Sequence, residues 1–181
     1  MKTAFAIIAL GFSLSCGGGH IGEMPTLGPQ RQCNLPLTVS CVDLDPTKHK
    51  VCELHILNAV AEINGVSGRE LLAYRVYNGT LPVVFSADMH LGGPNWVQLG
   101  ETNFIAAHDG CIHMASIVLS PELLGKSYWP RMYEVVLHEV LHALGQGHSE
   151  DGVMTPAIND KGHTAHMSAN DIARLMAVYG E

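Results

Sequence analysis

The sequence is most informative between residues 138 and 148, which read His-Glu-Val-Leu-His-Ala-Leu-Gly-Gln-Gly-His. Apolar residues recur with helical spacing from about residue 130 onward, so a helix is predicted here. His138 and His142 leave the same face of that helix one turn apart and can bind one metal ion. Glu139 is rotated by about 100° from His138, which places it to reach a water molecule at the metal rather than the metal itself.

Gly145 and His148 complete this pattern. A glycine can take the positive φ that ends a helix and turns the chain back, and the turn brings His148 to the metal as a third ligand. Three neutral nitrogen ligands leave one coordination position open, as in catalytic zinc sites. We therefore predict one catalytic Zn²⁺ bound by His138, His142 and His148, with Glu139 as the catalytic residue.

The extended pattern resembles the metzincin metalloproteases, and further details resemble their matrixin branch. Ser149 follows the third histidine, as in matrixins, and Gly-Val-Met-Thr-Pro at residues 152–156 stands where that family has its Met-turn. The resemblance implies that Met154 lies beneath the zinc ligands as an apolar floor. It also implies a substrate pocket shaped by three compact residues, which are Pro156, Ala157 and Ile158.

The predicted function is zinc-dependent hydrolysis of peptide bonds by an endopeptidase. Glu139 takes a proton from a water molecule activated by the zinc, and an extended protein or peptide substrate pairs with an edge strand near residues 103–107. One alternative is a non-catalytic zinc-binding surface lipoprotein, which would not need Glu139, Gly145 and Met154 in their places. Another is a zinc hydrolase that acts on a non-peptide amide, which a substrate panel would distinguish.

The remaining sequence predicts an α+β, metzincin-like fold. We expect a twisted mixed sheet with an edge strand, two long helices (a backing helix and the active-site helix) and a C-terminal helix. Alternating apolar residues predict the strands, at residues 35–41, 71–76, 81–85, 103–107 and 111–120.

The ends of two helices are also predicted. The backing helix has Asp45 as its N-cap and Pro46 as its first residue, and it ends at Gly65. Its recurring apolar residues are Val51, Leu54, Leu57 and Ala61. The C-terminal helix begins after Ser168, which forms a capping-box pattern with Asp171, and it runs to Tyr179.

The first 16 residues have the pattern of an export signal. Lys2 precedes a short apolar run, and Cys16 is followed by three glycines, as in bacterial lipoproteins. We expect an exported protein that is either lipid-anchored to the cell envelope through Cys16, its one contact with a membrane, or secreted after an ordinary signal cleavage. Residues 17–32, rich in Gly and Pro, predict a flexible linker, and residues 33–181 form the catalytic domain.

Four cysteines remain after export, namely Cys33, Cys41, Cys52 and Cys111. An even number in an oxidising compartment predicts two disulfides, and the sequence leaves all three connectivities open. One alternative concerns Cys33, because its surroundings loosely resemble the cysteine-switch segment by which some metalloproteases keep a thiolate on their zinc.

Charge and composition limit the partners. The chain carries 10 Lys and Arg against 17 Asp and Glu, for a formal charge of −7, and it has no basic stripe, so we do not expect nucleic-acid binding. We expect a monomer.

A second metal site, for structural zinc or calcium, is not the favoured expectation. The Asp- and Gly-rich loops that bind these ions in the family are not recognisable here. The side chains that could contribute to one are Asp88, His90, His108 and His113.

Overall fold

The computed structural model describes residues 11–15, 30–42, 45–86, 98–107, 109–158 and 162–180. Its strands are β1 (Gly11–Ser15), β2 (Arg31–Gln32), β3 (Leu37–Cys41), β4 (Leu72–Tyr74), β5 (Leu81–Phe85), β6 (Gly100–Ala106) and β7 (Cys111–Leu119). Its α-helices are α1 (Pro46–Ser67), α2 (Met132–Ala143) and α3 (Ala169–Tyr179), and two short 3₁₀ helices span Pro121–Leu124 and Trp129–Arg131. Among these described helices, none has the length and apolar character needed to cross a membrane.

The strands form one mixed sheet in the order β1-β6-β7-β5-β3-β4, with β2 also paired to β7. Strand β6 is antiparallel to both β1 and β7, whereas the other pairs are parallel. The predicted α+β fold with a mixed sheet is therefore confirmed. The predicted strand at residues 81–85 has the predicted ends, and the other predicted strands differ from the observed ones by one to three residues at an end.

Helix α1 begins as predicted and ends later than predicted. The Asp45 side chain caps it by accepting hydrogen bonds from the backbone N–H groups of Thr47 and Lys48. The prediction of an end at Gly65 is wrong, because the left-handed cap is Gly68, with φ of 66°. Nothing crowds Gly65 in the helix interior.

The buried face of α1 also differs from the predicted apolar stripe. Leu54 and Leu57 are 55% and 43% exposed. The residues that pack into the core lie on a neighbouring face and are Cys52, Ile56, Ala59 and Ile63. Both faces carry strongly apolar residues, Ile56 and Ile63 on the buried face and the two leucines on the exposed one, so the sequence pattern alone does not show which face is packed.

Helix α2 lies in the interior, in contact with α1, β6 and β7, and its residues from 134 to 143 are all buried. Helix α3 has the predicted capping box between Ser168 and Asp171. Its last residue, Tyr179, donates a hydrogen bond from its hydroxyl to the carbonyl of Leu144, just after α2. The same hydroxyl accepts a hydrogen bond from the backbone N–H of Gln32.

The predicted linker is wrong at its end, since Arg31 and Gln32 form β2. Gln32 is buried, and its side-chain amide donates to the carbonyl of Ala143, 2.9 Å away. Sequence composition could not reveal this anchor, because the two residues have no apolar pattern and are held by backbone pairing with β7 and by the end of α2.

A disulfide joins Cys33 to Cys111. The cysteine-switch alternative is therefore wrong, because the Cys33 sulfur is bonded to another residue. Cys41 and Cys52 are buried outside this disulfide, so the described residues contain one of the two predicted bridges. Cys16, the predicted lipidation site, lies outside the described residues.

Candidate metal centre

Helix α2 and the loop that follows it bring three histidines together. One ring nitrogen each from His138, His142 and His148 lies within 4.8 Å of the other two. In the described part of the chain, this is the one group of three or more His, Cys, Asp or Glu residues with a spacing that could hold a metal ion.

Backbone carbonyls orient two of the three imidazoles. The Nδ1 atom of His138 lies 2.7 Å from the carbonyl oxygen of Val153, and Nδ1 of His142 lies 2.7 Å from that of Gln146. A carbonyl can only accept, so each Nδ1 carries the proton and donates it. Each Nε2 therefore keeps a lone pair for a ligand, as in zinc sites whose histidines are held by outer hydrogen bonds.

Burial keeps these two imidazoles neutral. It lowers the pKa of His138 from its ordinary value of 6.5 to about 4, and it lowers the pKa of His142 well below 6.5. The Nε2 atom of His142 is buried without a hydrogen-bond partner in the described residues. An unsatisfied nitrogen in the interior is costly unless something binds it, so this atom points to a ligand at the centre of the triad.

Gly145 makes the turn between the second and third histidines. Its φ is 89°, and a Cβ at this position would collide with the backbone carbonyl of Gln30. Its N–H donates to the carbonyl of His142, which ends the helix. Arg174, on α3, then donates to the carbonyls of Gly147 and His148 and holds the loop that carries the third histidine.

A buried carboxylate holds the turn beneath the histidines. Asp171 accepts hydrogen bonds from the backbone N–H groups of Val153, at 3.0 Å, and Ser168, at 2.9 Å. Val153 in turn orients His138. Met154, the next residue, is fully buried, and its carbonyl accepts from the Ser149 N–H.

Glu139 is fully buried against the sheet. Its Oε2 atom accepts a hydrogen bond of 2.7 Å from the hydroxyl of Thr102 on β6. A Cβ at Gly100 would lie 2.5 Å from Oε1 of the same carboxylate.

A comparison with known families identifies the family of the chain. Residues 75–180, more than half of the sequence, match the peptidase family model described as Matrixin. The chain belongs to the matrixin family. The predicted resemblance to matrixins is confirmed, whereas no curated protein matches the chain.

The donor set of this matrixin fits the zinc of its family. Three imidazole nitrogens are a common ligand set for catalytic Zn²⁺ and leave a coordination position open. The unpartnered Nε2 of His142, which belongs to the triad, supports the presence of such a group. The family match and the triad together support a zinc metallopeptidase.

The predicted pocket residues of the matrixin follow Met154 in the chain. Pro156 and Ala157 are exposed, and Ile158 is half-buried against the core. Thr155, between Met154 and Pro156, bonds to His163, whose other ring nitrogen lies 3.1 Å from the buried carboxylate of Glu134 on α2. Both side chains of the His163 and Glu134 pair are almost fully buried, so this chain of contacts ties the segment after Met154 to α2.

The expectation about a second metal site is not tested by the described residues. His113 is exposed on β7, and Asp88, His90 and His108 lie outside the described residues.

Sequence reasoning missed three kinds of contact in the matrixin site. The carbonyls of Val153 and Gln146 orient the ligands, and a backbone carbonyl has no sequence signature. The capping pattern identified Asp171, but nothing showed that its carboxylate also holds Val153. Thr102 gave no signal, because threonine is ordinary in a strand.

Proposed function

We propose that this matrixin is a zinc-dependent endopeptidase whose metal is held by His138, His142 and His148. The observation that carries the proposal is the convergence of three ring nitrogens within 4.8 Å, two of them on imidazoles oriented by backbone carbonyls. A zinc ion bound there would supply a Lewis acid that activates water near neutral pH.

Glu139 is the proposed general base and acid. Its carboxylate stands one residue from the first ligand on α2, on the side that faces β6. It accepts a proton from the attacking water and returns that proton to the leaving amine when the peptide bond breaks. The two buried imidazoles stay neutral throughout, because charging them inside the protein is unfavourable.

The edge of β6 is the proposed binding surface for an extended substrate. Gly11–Ser15 pair there antiparallel, with Ser13 opposite Asn103, which supports the idea that this edge accepts a strand through backbone hydrogen bonds. If residues 1–15 are removed on export, the edge becomes available to another chain. Backbone pairing on both sides of a cleaved bond is characteristic of endopeptidases.

The segment after Met154 is the proposed source of the preference for particular substrate side chains. We propose that Pro156, Ala157 and Ile158 line the pocket for the residue after the cleaved bond and favour an apolar side chain there. The bonds from His163 to Thr155 and Glu134 support a fixed position for this segment.

The test uses the exported protein, loaded with zinc, and its Glu139→Gln variant. We expect one zinc per chain in both proteins, and we expect cleavage of casein or a quenched peptide to fall by a factor of about 10² to 10⁴ in the variant. Glu70→Gln, which changes an exposed carboxylate, is the matched control and should cleave normally. Wild-type protein that binds zinc without cleaving any peptide would favour the non-catalytic zinc-binding alternative, and full activity in Glu139→Gln would refute the role of that residue.

We also propose that the protein is exported, lipid-anchored through Cys16 and monomeric. The signal-like pattern of residues 1–16 supports export, and so does the disulfide between Cys33 and Cys111, since such bonds persist in oxidising compartments. The intact mass of the protein from the producing cell checks this. A mass that starts at Cys16 with added acyl chains is expected, a mass that starts at Met1 would contradict export, and size-exclusion chromatography checks the monomer.

A further inference from the structure

Strand β6, which packs against α2, contributes a second group of residues to the site. Gly100 and Thr102 are two positions apart on β6, so they lie on the same face of the strand. This face meets α2 at Glu139, and both Thr102 and Glu139 are fully buried. The carboxylate of Glu139 is therefore in contact with residues of β6 as well as with residues of its own helix.

The two strand residues act on the carboxylate in different ways. Gly100 leaves space for it, since a Cβ there would lie 2.5 Å from Oε1 and 2.8 Å from a methyl group of Val135. Thr102 bonds to it, because its hydroxyl lies 2.7 Å from Oε2. Together they form a cradle that holds one oxygen by a hydrogen bond and gives the other room.

The hydroxyl of Thr102 has two acceptors within reach. The second is the backbone carbonyl of Glu139, 2.9 Å away. A carbonyl inside a helix ordinarily accepts from the N–H four residues on, and an ionised carboxylate, as the role of general base requires, would make the stronger bond. The shorter distance agrees with donation to the carboxylate.

We infer that Thr102 is a positioning residue, which orients the carboxylate of Glu139 for proton transfer, and that Gly100 provides the space this orientation needs. The inference rests on the proposed role of Glu139 as general base and acid. A general base acts only within hydrogen-bond reach of the proton it removes, and small displacements of reacting groups cost large factors in rate. The hydroxyl favours the rotamer that places Oε2 within 2.7 Å of it.

The experiment compares Thr102→Val with Thr102→Ser in the zinc-loaded protein. Valine keeps the branched shape and the strand preference but lacks the hydroxyl, whereas serine keeps the hydroxyl. We expect kcat to fall about 10- to 100-fold in the valine variant, with KM within about threefold of wild type. The serine variant should recover kcat to within about threefold of wild type, and both should bind one zinc per chain.

A control and a combined variant separate positioning from general stability. Thr38→Val removes another sheet hydroxyl, one that bonds to Thr80, and it should leave kcat unchanged. Adding Thr102→Val to Glu139→Gln should not lower the residual rate further, because the hydroxyl acts through the carboxylate. If the valine variant does not fold, Thr102→Ala takes its place with the same expectations.

The outcomes distinguish this inference from the proposed function. Wild-type kcat in a folded, zinc-loaded Thr102→Val overturns the inference alone, provided that Glu139→Gln is inactive. An equal loss in the serine and valine variants also overturns it, since packing rather than the hydroxyl would then be responsible. A wild-type protein that binds zinc and cleaves nothing overturns the proposed function and the positioning role together.

Discussion

The metal-free protein should lose stability in mildly acidic solution because two imidazoles are buried in neutral form. The pKa of His138 is about 4 in the folded protein, against an ordinary value of 6.5. Because the pKa of His138 is lower in the folded than in the unfolded protein, the contribution of this residue to stability is complete above about pH 6.5 and is lost as the pH falls toward 4. Between about pH 7.5 and pH 5, linkage gives a loss of about 2 kcal/mol from His138 alone. His142 acts in the same direction.

The assay is thermal unfolding of chelator-treated protein, followed by circular dichroism across this pH range. For a domain of this size, about 2 kcal/mol corresponds to a fall in Tm of about 4 to 8 °C. His138→Gln removes one of the two groups, so its Tm should fall by several degrees less over the same range. Equal pH dependence in the wild type and in His138→Gln would refute the argument, because the buried neutral imidazole would then contribute nothing.

Three further predictions concern the supports of the site. Gly145→Ala should cost more than about 1–2 kcal/mol of stability, through its positive φ and its collision with Gln30, and should weaken zinc binding. Gly147→Ala, in which the new Cβ has its nearest contact at an ordinary 3.6 Å, should leave stability and zinc binding unchanged. Calorimetry measures the stability of the two variants and zinc titration measures their affinity. Equal effects in the two variants would contradict the role given to the backbone conformation at Gly145. Replacing Cys33 and Cys111 by serine should cost about 4 kcal/mol, because the bridge closes a separation of 78 residues; an unchanged denaturation midpoint would show that the bridge is not formed. Asp171→Asn should cost about 1 kcal/mol or more, since the oxygen that accepts from the backbone N–H groups of Val153 and Ser168 would belong to a neutral amide instead of a carboxyl group, and hydrogen bonds to charged groups are the stronger ones; chemical denaturation that shows no loss would contradict this.

The triad was the part of the site most open to prediction, because helical spacing and one glycine turn determine it locally. His138 and His142 are one turn apart on any helix. Gly145 has the positive φ that the predicted turn requires. The positions of these three residues depend on neighbours close in sequence. One amino-acid sequence is therefore enough to predict them.

The contacts that complete the site join residues far apart in sequence. Thr102 and Glu139 are 37 positions apart, and Gln32 and Ala143 are 111 apart. Neither pair has a pattern that local periodicity could detect, because the sheet order and the packing of α2 on β6 bring them together. The assignment of Gln32 to a linker failed for this reason.

The errors in α1 have a local cause. A glycine can also stand inside a helix, as Gly65 does. The residue that takes the left-handed conformation and ends α1 is Gly68, and the sequence offers both glycines as candidates. The leucines at 54 and 57 are more apolar than Cys52 and Ala59, yet they face outward. Hydrophobic residues on a protein surface are common, so side-chain type alone did not identify the packed face.

The most direct test of the central claim is anomalous diffraction at the zinc edge from crystals of the zinc-loaded protein. We predict one peak inside the triad, bonded to the Nε2 atoms of His138 and His142 and to a ring nitrogen of His148 at about 2.0–2.1 Å. A zinc ion bound elsewhere, or one that leaves His148 out of its coordination, would contradict it.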